Sequence, residues 1–116
     1  MSLNLGTVVS DSASLDPSRT ALIFDDETFN YEELDSLIRR FAYTLKIGGL
    51  EIGDRVAMMV PNGPPFTIAY FGILYAGGVA VTMNTLQSVD EVTHQLRDCN
   101  ATAFVLDGEF GVGLDD

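Results

Sequence analysis

Residues 56–89 carry no charged side chain, in a chain of 116 residues whose formal net charge is -11. A run of that kind has two destinations, a lipid bilayer or the buried centre of an α/β domain. A membrane-spanning helix needs about 20 consecutive apolar residues, with every backbone polar group bonded inside the segment. Here Pro61, Asn62, Gly63, Pro64 and Pro65 interrupt the run, and Gly77 and Gly78 interrupt it again. The longest stretch between breaks, 66–76, is too short to span. What remains is a strand at 55–60, a proline-opened helix at 65–76 and a second strand at 79–83. Two apolar strands joined by a helix of this length form a right-handed βαβ unit, with the strands parallel. The helix is apolar nearly all round, which predicts cover on both of its sides.

Composition limits the rest. The chain is 47% hydrophobic and 20% charged, which suits a folded globular domain and not a disordered one. Its length allows one domain at most, enough for a core but small for an enzyme with two substrates. Seventeen acidic residues stand against six basic ones. Such a field repels phosphates and acidic lipids, so neither a nucleic acid nor an anionic membrane surface is the expected partner. The single cysteine, Cys99, excludes an intrachain disulfide and any multi-cysteine metal site. No charged segment leading into an apolar stretch opens the chain, so a cytoplasmic location is expected and a secretory signal is not.

The remaining elements follow from punctuation and period. Leu3, Leu5, Val8 and Val9 fit a short helix near the start, and Asp16-Pro17 reads as a turn. Segments 20–24 and 28–31, separated by Asp25, Asp26 and Glu27, read as a short β-hairpin. Asn30 with Glu33 forms a capping-box pattern, after which Leu34, Leu37, Ile38, Phe41, Ala42 and Leu45 recur at helical spacing. Asp35 and Arg39 lie four apart on the polar side of that helix, and Gly48-Gly49 ends it. Ser88 with Glu91 repeats the capping pattern, and Val89, Val92, Leu96 and Cys99 form the expected buried stripe of another helix. Residues 102–106 are a third apolar strand, broken by Asp107-Gly108. The predicted fold class is therefore α/β: a parallel βαβαβ sheet with helices on its faces, preceded by a hairpin.

Candidate chemical groups are few. His94, the only histidine, points away from Val92 and Leu96 and is read as solvent-exposed, without partners. Cys99 lies on the apolar stripe as a small core residue, with Arg97 alone too weak to activate a thiolate. Asp25-Asp26 after an apolar strand is reminiscent of a phosphoryl-receiver pair. Asp54, however, precedes its strand, and the only lysine, Lys46, lies on a helix, so an ordinary hairpin turn is the better reading. The loop at 60–65 joins a strand to a helix as a phosphate loop would, but it has prolines where N–H donors are needed and no lysine. Gly77-Gly78 follows a helix and sits at the wrong end of it for a phosphate. No catalytic, cofactor-binding or metal-ligating residue is assigned.

The order of motifs carries further than their chemistry. Asn30, Tyr31, Glu33 and Leu34 open a helix; Gly49, Gly53, Asp54, Arg55 and Val56 precede a strand; Pro61-Asn62 and Ala76-Gly77-Gly78 bracket the apolar helix. Over about residues 3–107 this order resembles the N-terminal part of the adenylate-forming (AMP-binding) enzymes. That family includes acyl-CoA synthetases of the long-chain fatty-acid type, peptide-synthetase adenylation domains and firefly-type luciferases. The sequence departs from the pattern at Thr82, Met83, Asn84 and Thr85, where the family usually has a proline near the asparagine, implying a loop of different shape. The family's phosphate loop with its lysine, ribose-binding aspartate, magnesium-associated glutamate and catalytic lysine have no counterpart in these residues.

The resemblance implies that residues 1–108 are a partial N-terminal subdomain, followed by a flexible acidic tail at 109–116. The parent would activate a carboxylic or fatty acid with ATP and Mg2+ and transfer the acyl group to CoA. This chain alone is expected to bind none of these cofactors and to be catalytically incompetent, because adenylation needs cations and a metal at a phosphoryl centre. Its expected partner is the remainder of the parent enzyme, or a second copy hiding apolar surface left around the central helix. The alternatives are a stand-alone, non-catalytic module that binds a partner or apolar ligand, and a fragment of a peptide-synthetase or luciferase-like enzyme.

Overall fold

Strand β3, Arg55–Met59, is the centre of the protein, and a computed structural model describes residues 5–106 and 112–114 around it. Val56, Ala57 and Met58 of β3 are fully buried, because the strand has a neighbour on each edge and packing on both faces. It pairs in parallel with β4, Val79–Thr82, and with β5, Ala103–Leu106. The register sets Ala57 opposite Val81 on one side and Phe104 on the other. A further strand, β6 at Val112–Leu114, adds antiparallel to β5 and completes the order β4-β3-β5-β6. Part of the segment expected to be a loose tail is thus paired; residues 109–111 and 115–116 lie outside the described residues. Backbone pairing is nearly indifferent to side chains, so the free edge of β5 can recruit even the glycine-containing Val112-Gly113-Leu114.

The hairpin forms as its alternation predicts, from β1 (Thr20–Phe24) and β2 (Glu27–Asn30), in a separate two-stranded sheet. Its turn is tighter than the three polar residues suggest, since Phe24 pairs with Glu27. Asp25 takes φ 52°, a left-handed value that aspartate tolerates better than most residues. Before the hairpin, a 3-10 turn at Leu5–Thr7 runs into α1, Val8–Leu15.

The helices divide between the two faces of the four-stranded sheet. On one face α2 (Tyr31–Ile47) and α3 (Pro64–Tyr75) bury Leu34, Ile38, Phe41, Ala42, Leu45, Ile68, Ala69 and Ile73 against Val56, Met58 and Val105. Val9 of α1 closes that cluster. On the other face α4, Val89–Cys99, builds a much smaller cluster from Ala57, Met83, Val92 and Ala101, with Leu96, Cys99 and Phe104 partly buried against it. Val89 does not join the stripe expected of it and is 81% exposed. A helical stripe is buried only where a surface faces it, and toward the amino end of α4 this cluster stops at Val92.

α3 is covered nearly all round, as its apolarity predicts, and leaves less apolar surface than expected around a central helix. Its inner face is buried, the rest is half-buried, and among the described residues no large exposed apolar side chain belongs to it. The cover comes from α2 and from the 3-10 turn, where Gly6 approaches the backbone of Leu74. The exposed apolar side chains lie elsewhere, among them Val79, Leu86, Val89 and Leu106. None of the helices among the described residues is long and apolar enough to cross a membrane.

Both capping boxes are present. Glu33 N donates to Asn30 Oδ1 at 2.8 Å and Asn30 N donates to Glu33 Oε1 at 2.9 Å. At α4, Glu91 N donates to Ser88 Oγ at 3.2 Å and Ser88 N to Glu91 Oε1 at 2.8 Å. Ser88→Ala is expected to lower the unfolding free energy by about 1 kcal/mol in a urea titration followed by far-UV circular dichroism. The backbone hydrogen bond from Ser88, and then its hydroxyl, hold the Glu91 carboxyl below its ordinary value. A lowered folded-state pKa means stability that is present above the unfolded value and lost as pH falls through the folded one. Glu91→Gln should therefore leave acid unfolding less pH-dependent in that window.

Candidate functional site

In an open parallel sheet, ligands bind beyond the carboxyl ends of the strands, where loops diverge. The corresponding cleft here has a volume of about 340 Å³ and lies between the ends of β3 and β4 and the start of α3. Val60, Pro61, Phe66 and Met83 supply its apolar surface, and Asn62, Thr82, Asn84 and Thr85 its polar rim. The ladder continues one step past β4, with Met83 N donating to Met58 O at 2.9 Å. Beyond it the chain turns sharply: Asn84 Oδ1 accepts from Leu86 N at 2.8 Å, and Gln87 N donates to Asn84 O.

The opposite lip is set by Gly63, at φ 138° and ψ -171°, a region closed to residues with a side chain. A Cβ there would also stand 3.3 Å from the ring of Phe24, so the hairpin is seated against the loop that bounds the cleft. α3 begins at Pro64, one residue earlier than its pattern suggests, with proline at its first two positions. Those prolines have no N–H, and Thr67 N already donates to Gly63 O at 3.2 Å. Of the first three helical positions, only Phe66 keeps an N–H that could be offered to an anion. Among the described residues, none that lines the cleft is ionisable. Its hydroxyls and carboxamides can position a neutral polar group, but they cannot neutralise a phosphoryl centre.

The residues that carry the motif order sit mostly elsewhere. At the amino ends of the strands, Gly53 N donates to Gly77 O at 2.9 Å and Val79 N to Asp54 O at 2.8 Å. Asp54 Oδ2 accepts from Glu51 N at 2.9 Å, closing the turn that aims Arg55 into β3. Gly77 has φ 92° and lies against Ile52, so a side chain there is strained. These residues lock the two ends of the βαβ unit together, far from the cleft. Of the motif residues, Pro61 and Asn62 alone reach its lining. Thr82, Met83, Asn84 and Thr85, where the sequence departs from the pattern, line it as well. Their signal was positional: they end a strand beside a parallel neighbour.

The other candidates are accounted for. His94 is exposed as predicted but has a partner, since its Nε2 is 3.2 Å from Asp98 Oδ2 one turn on. Cys99 is half-buried, with Sγ donating to Leu96 O at 3.6 Å. Asp25 and Asp26 form the hairpin turn. Among the described residues, no group of three or more His, Cys, Asp or Glu could hold a metal ion. A second cavity of about 310 Å³ lies at the other end of the sheet, lined mainly by Leu45, Ile47, Leu50 and Ala103, with Asp54 the only charged residue among the described ones that line it.

Comparison with known proteins places this geometry. The chain is 36% identical over 101 residues to the long-chain-fatty-acid–CoA ligase of Bacillus subtilis, a match that covers 87% of this chain. It spans only 18% of that relative's length. Among solved structures it resembles the O-succinylbenzoate coenzyme A synthetase of B. subtilis, determined with ATP and a magnesium ion. There the TM-score is 0.81 at 30% identity, covering 89% of this chain and 28% of that one. The N-terminal domain of FACL13 from Mycobacterium tuberculosis gives a TM-score of 0.83 at 30% identity, covering 89% and 26%. The model of the AMP-binding enzyme family matches residues 9–113, almost the entire chain, and the chain therefore belongs to that family.

Proposed function

We propose that this chain is part of the N-terminal portion of an acyl-CoA-synthetase-type ligase, in which it builds scaffold and one wall of the active-site region. The parent would activate a fatty or other carboxylic acid with ATP and magnesium and pass the acyl group to CoA. The observation that carries this reading is the family match over residues 9–113, shared with a fatty-acid–CoA ligase at 36% identity. The cleft at the strand ends supports a scaffold role over a catalytic one, because among the described residues no cation lines it and two prolines blunt the helix start. The residues present do not fit a triphosphate, and no chemical step is assigned to them. A cytoplasmic location is part of the proposal.

Calorimetric titration of the chain with ATP-magnesium, and then with a non-hydrolysable acyl-adenylate analogue, is expected to show no binding of either. Tight adenylate binding would overturn the scaffold reading. The parent activity is tested by replacing the matching segment of the B. subtilis ligase with residues 9–113 of this chain. A folded chimera should still form acyl-CoA; one that forms none counts against the assignment. The exposed apolar side chains of Leu86 and Val89, three residues apart in the chain, are the proposed contact with the rest of such an enzyme, or with a second copy. The isolated chain should then bind an apolar dye that the chimera does not, and equal dye binding by both would refute that contact.

A further inference from the structure

Half of the six basic side chains of this acidic protein, Arg39, Arg40 and Lys46, stand on one stretch of α2. With Tyr43 and Tyr75 they line a shallow groove of about 390 Å³. Seventeen carboxylates are available in the sequence to pair with them. Arg39 is paired: its Nε is 3.0 Å from Asp35 Oδ2, its guanidinium lies 5.6 Å from the Tyr75 ring centroid, and its Nη2 donates to Ser10 Oγ at 3.4 Å. Ser10 Oγ in turn donates to Asp35, so α1, α2 and α3 all help to hold this cation still. The only other contact between an acidic and a basic side chain among the described residues, His94–Asp98, involves neither, which leaves Arg40 and Lys46 unpaired. The helix dipole favours a cation in the last turn and so accounts for Lys46, but it fades before reaching Arg40. Between the two stands Tyr43, a large aromatic body 67% exposed to water.

The spacing indicates what fits. Arg40 and Lys46 are six residues apart, about 9 Å along the helix axis at a rise of about 1.5 Å per residue. One phosphate or carboxylate cannot meet both. Two carboxylates four residues apart on an extended polypeptide, ~13 Å at about 3.3 Å per residue, share one face with the side chain midway between them and can, since the two cations are also turned about 120° from each other around the helix. The net charge of -11 opposes nucleic acid and anionic membrane, each of which presents a large negative field. A short acidic segment brings few charges and meets these cations within a screening length of about 8–10 Å. We propose that the Arg40–Tyr43–Lys46 groove of α2 docks an acidic polypeptide segment, its two carboxylates on the cations and an apolar side chain between them on Tyr43. This docking requires neither ATP nor acyl substrate, so it stands or falls separately from the acyl-activation reading.

The test uses the whole chain and a short fluorescein-labelled peptide with two glutamates four residues apart and a phenylalanine midway between them, read by fluorescence anisotropy. Arg40→Glu and Lys46→Glu should each weaken binding about five- to tenfold, the effect of turning one exposed attraction into a repulsion. Arg97→Glu makes the same change of net charge on α4 and should leave the affinity within about twofold. The matching glutamine peptide should bind no better than the charge-reversed variants bind the acidic one. The proposal is overturned if the acidic peptide does not bind, if Arg97→Glu weakens it equally, or if the glutamine peptide binds as well. Displacement of the peptide by millimolar inorganic phosphate, or preferential binding to phosphatidylserine vesicles, would also overturn it.

Discussion

Ile73→Ala is expected to lower the unfolding free energy by about 2–5 kcal/mol, the range for removing a large buried aliphatic side chain and leaving a cavity. Ile73 has no solvent exposure and sits in the main cluster with Val56, Met58, Ile38 and Ala69, where two helices close on the central strand. None of those neighbours can collapse into the space without moving a helix or the strand itself. For a small domain with total stability of about 5–15 kcal/mol, such a loss approaches unfolding at ambient temperature. Val89→Ala is the matched control, because Val89 is equally apolar by sequence but 81% exposed, and its cost should stay within about 0.5 kcal/mol. Urea denaturation followed by circular dichroism measures both. Equal losses at the two positions would show that the sheet is not sealed on the α2–α3 side as described.

A second large effect is expected at a position that the sequence does not mark. A Cβ on Gly6 would lie 2.5 Å from the carbonyl oxygen of Leu74 and 2.6 Å from its carbon. Both are backbone atoms of α3, so no side-chain rotation can relieve the clash, and the segments must separate. Gly6→Ala should cost about 1–3 kcal/mol, the usual range for forcing extra volume into a packed contact. Because the strain falls where the N-terminal turn meets α3, hydrogen exchange should speed up in Val8–Leu15 before it does in β3. A neutral substitution with unchanged exchange would mean that the turn does not dock there.

The contrast between Ile73 and Gly6 reflects how the fold could be read in advance. Ile73 belongs to an apolar helix flanked by proline and by a glycine pair, a pattern confined to neighbours in the chain. The same holds for the boxes at Asn30–Glu33 and Ser88–Glu91, whose partners are three residues apart. Gly6 matters only because residue 74 comes to lie beside it, and nothing near position 6 encodes that. Val89 repeats the lesson in reverse: its spacing from Val92 is that of a buried stripe, but no surface faces it.

The cleft divides along the same line. Pro61 and Asn62 were visible as a turn between strand and helix. Thr82, Met83, Asn84 and Thr85 became part of a lining only once β4 was placed beside β3. The motif glycines at Gly53 and Gly77 share a backbone hydrogen bond across the βαβ unit, which explains their spacing by architecture and not by catalysis.

From residues alone came the period of each element, its punctuation and caps, the buried βαβ unit and the resemblance to adenylate-forming enzymes. Each of these depends on neighbours within a few positions or on motif order along the chain. The strand order with β6 at its edge, the sealed and sparsely covered faces, the Gly6–Leu74 contact and the position of the cleft belong to the assembled chain. They depend on distances between residues far apart in sequence, which are settled only when burial, backbone pairing and steric fit are satisfied together. The charge-free run at 56–89 shows both halves: its breaks made it a strand, a helix and a strand, and packing decided which of its side chains face a core and which face a cleft.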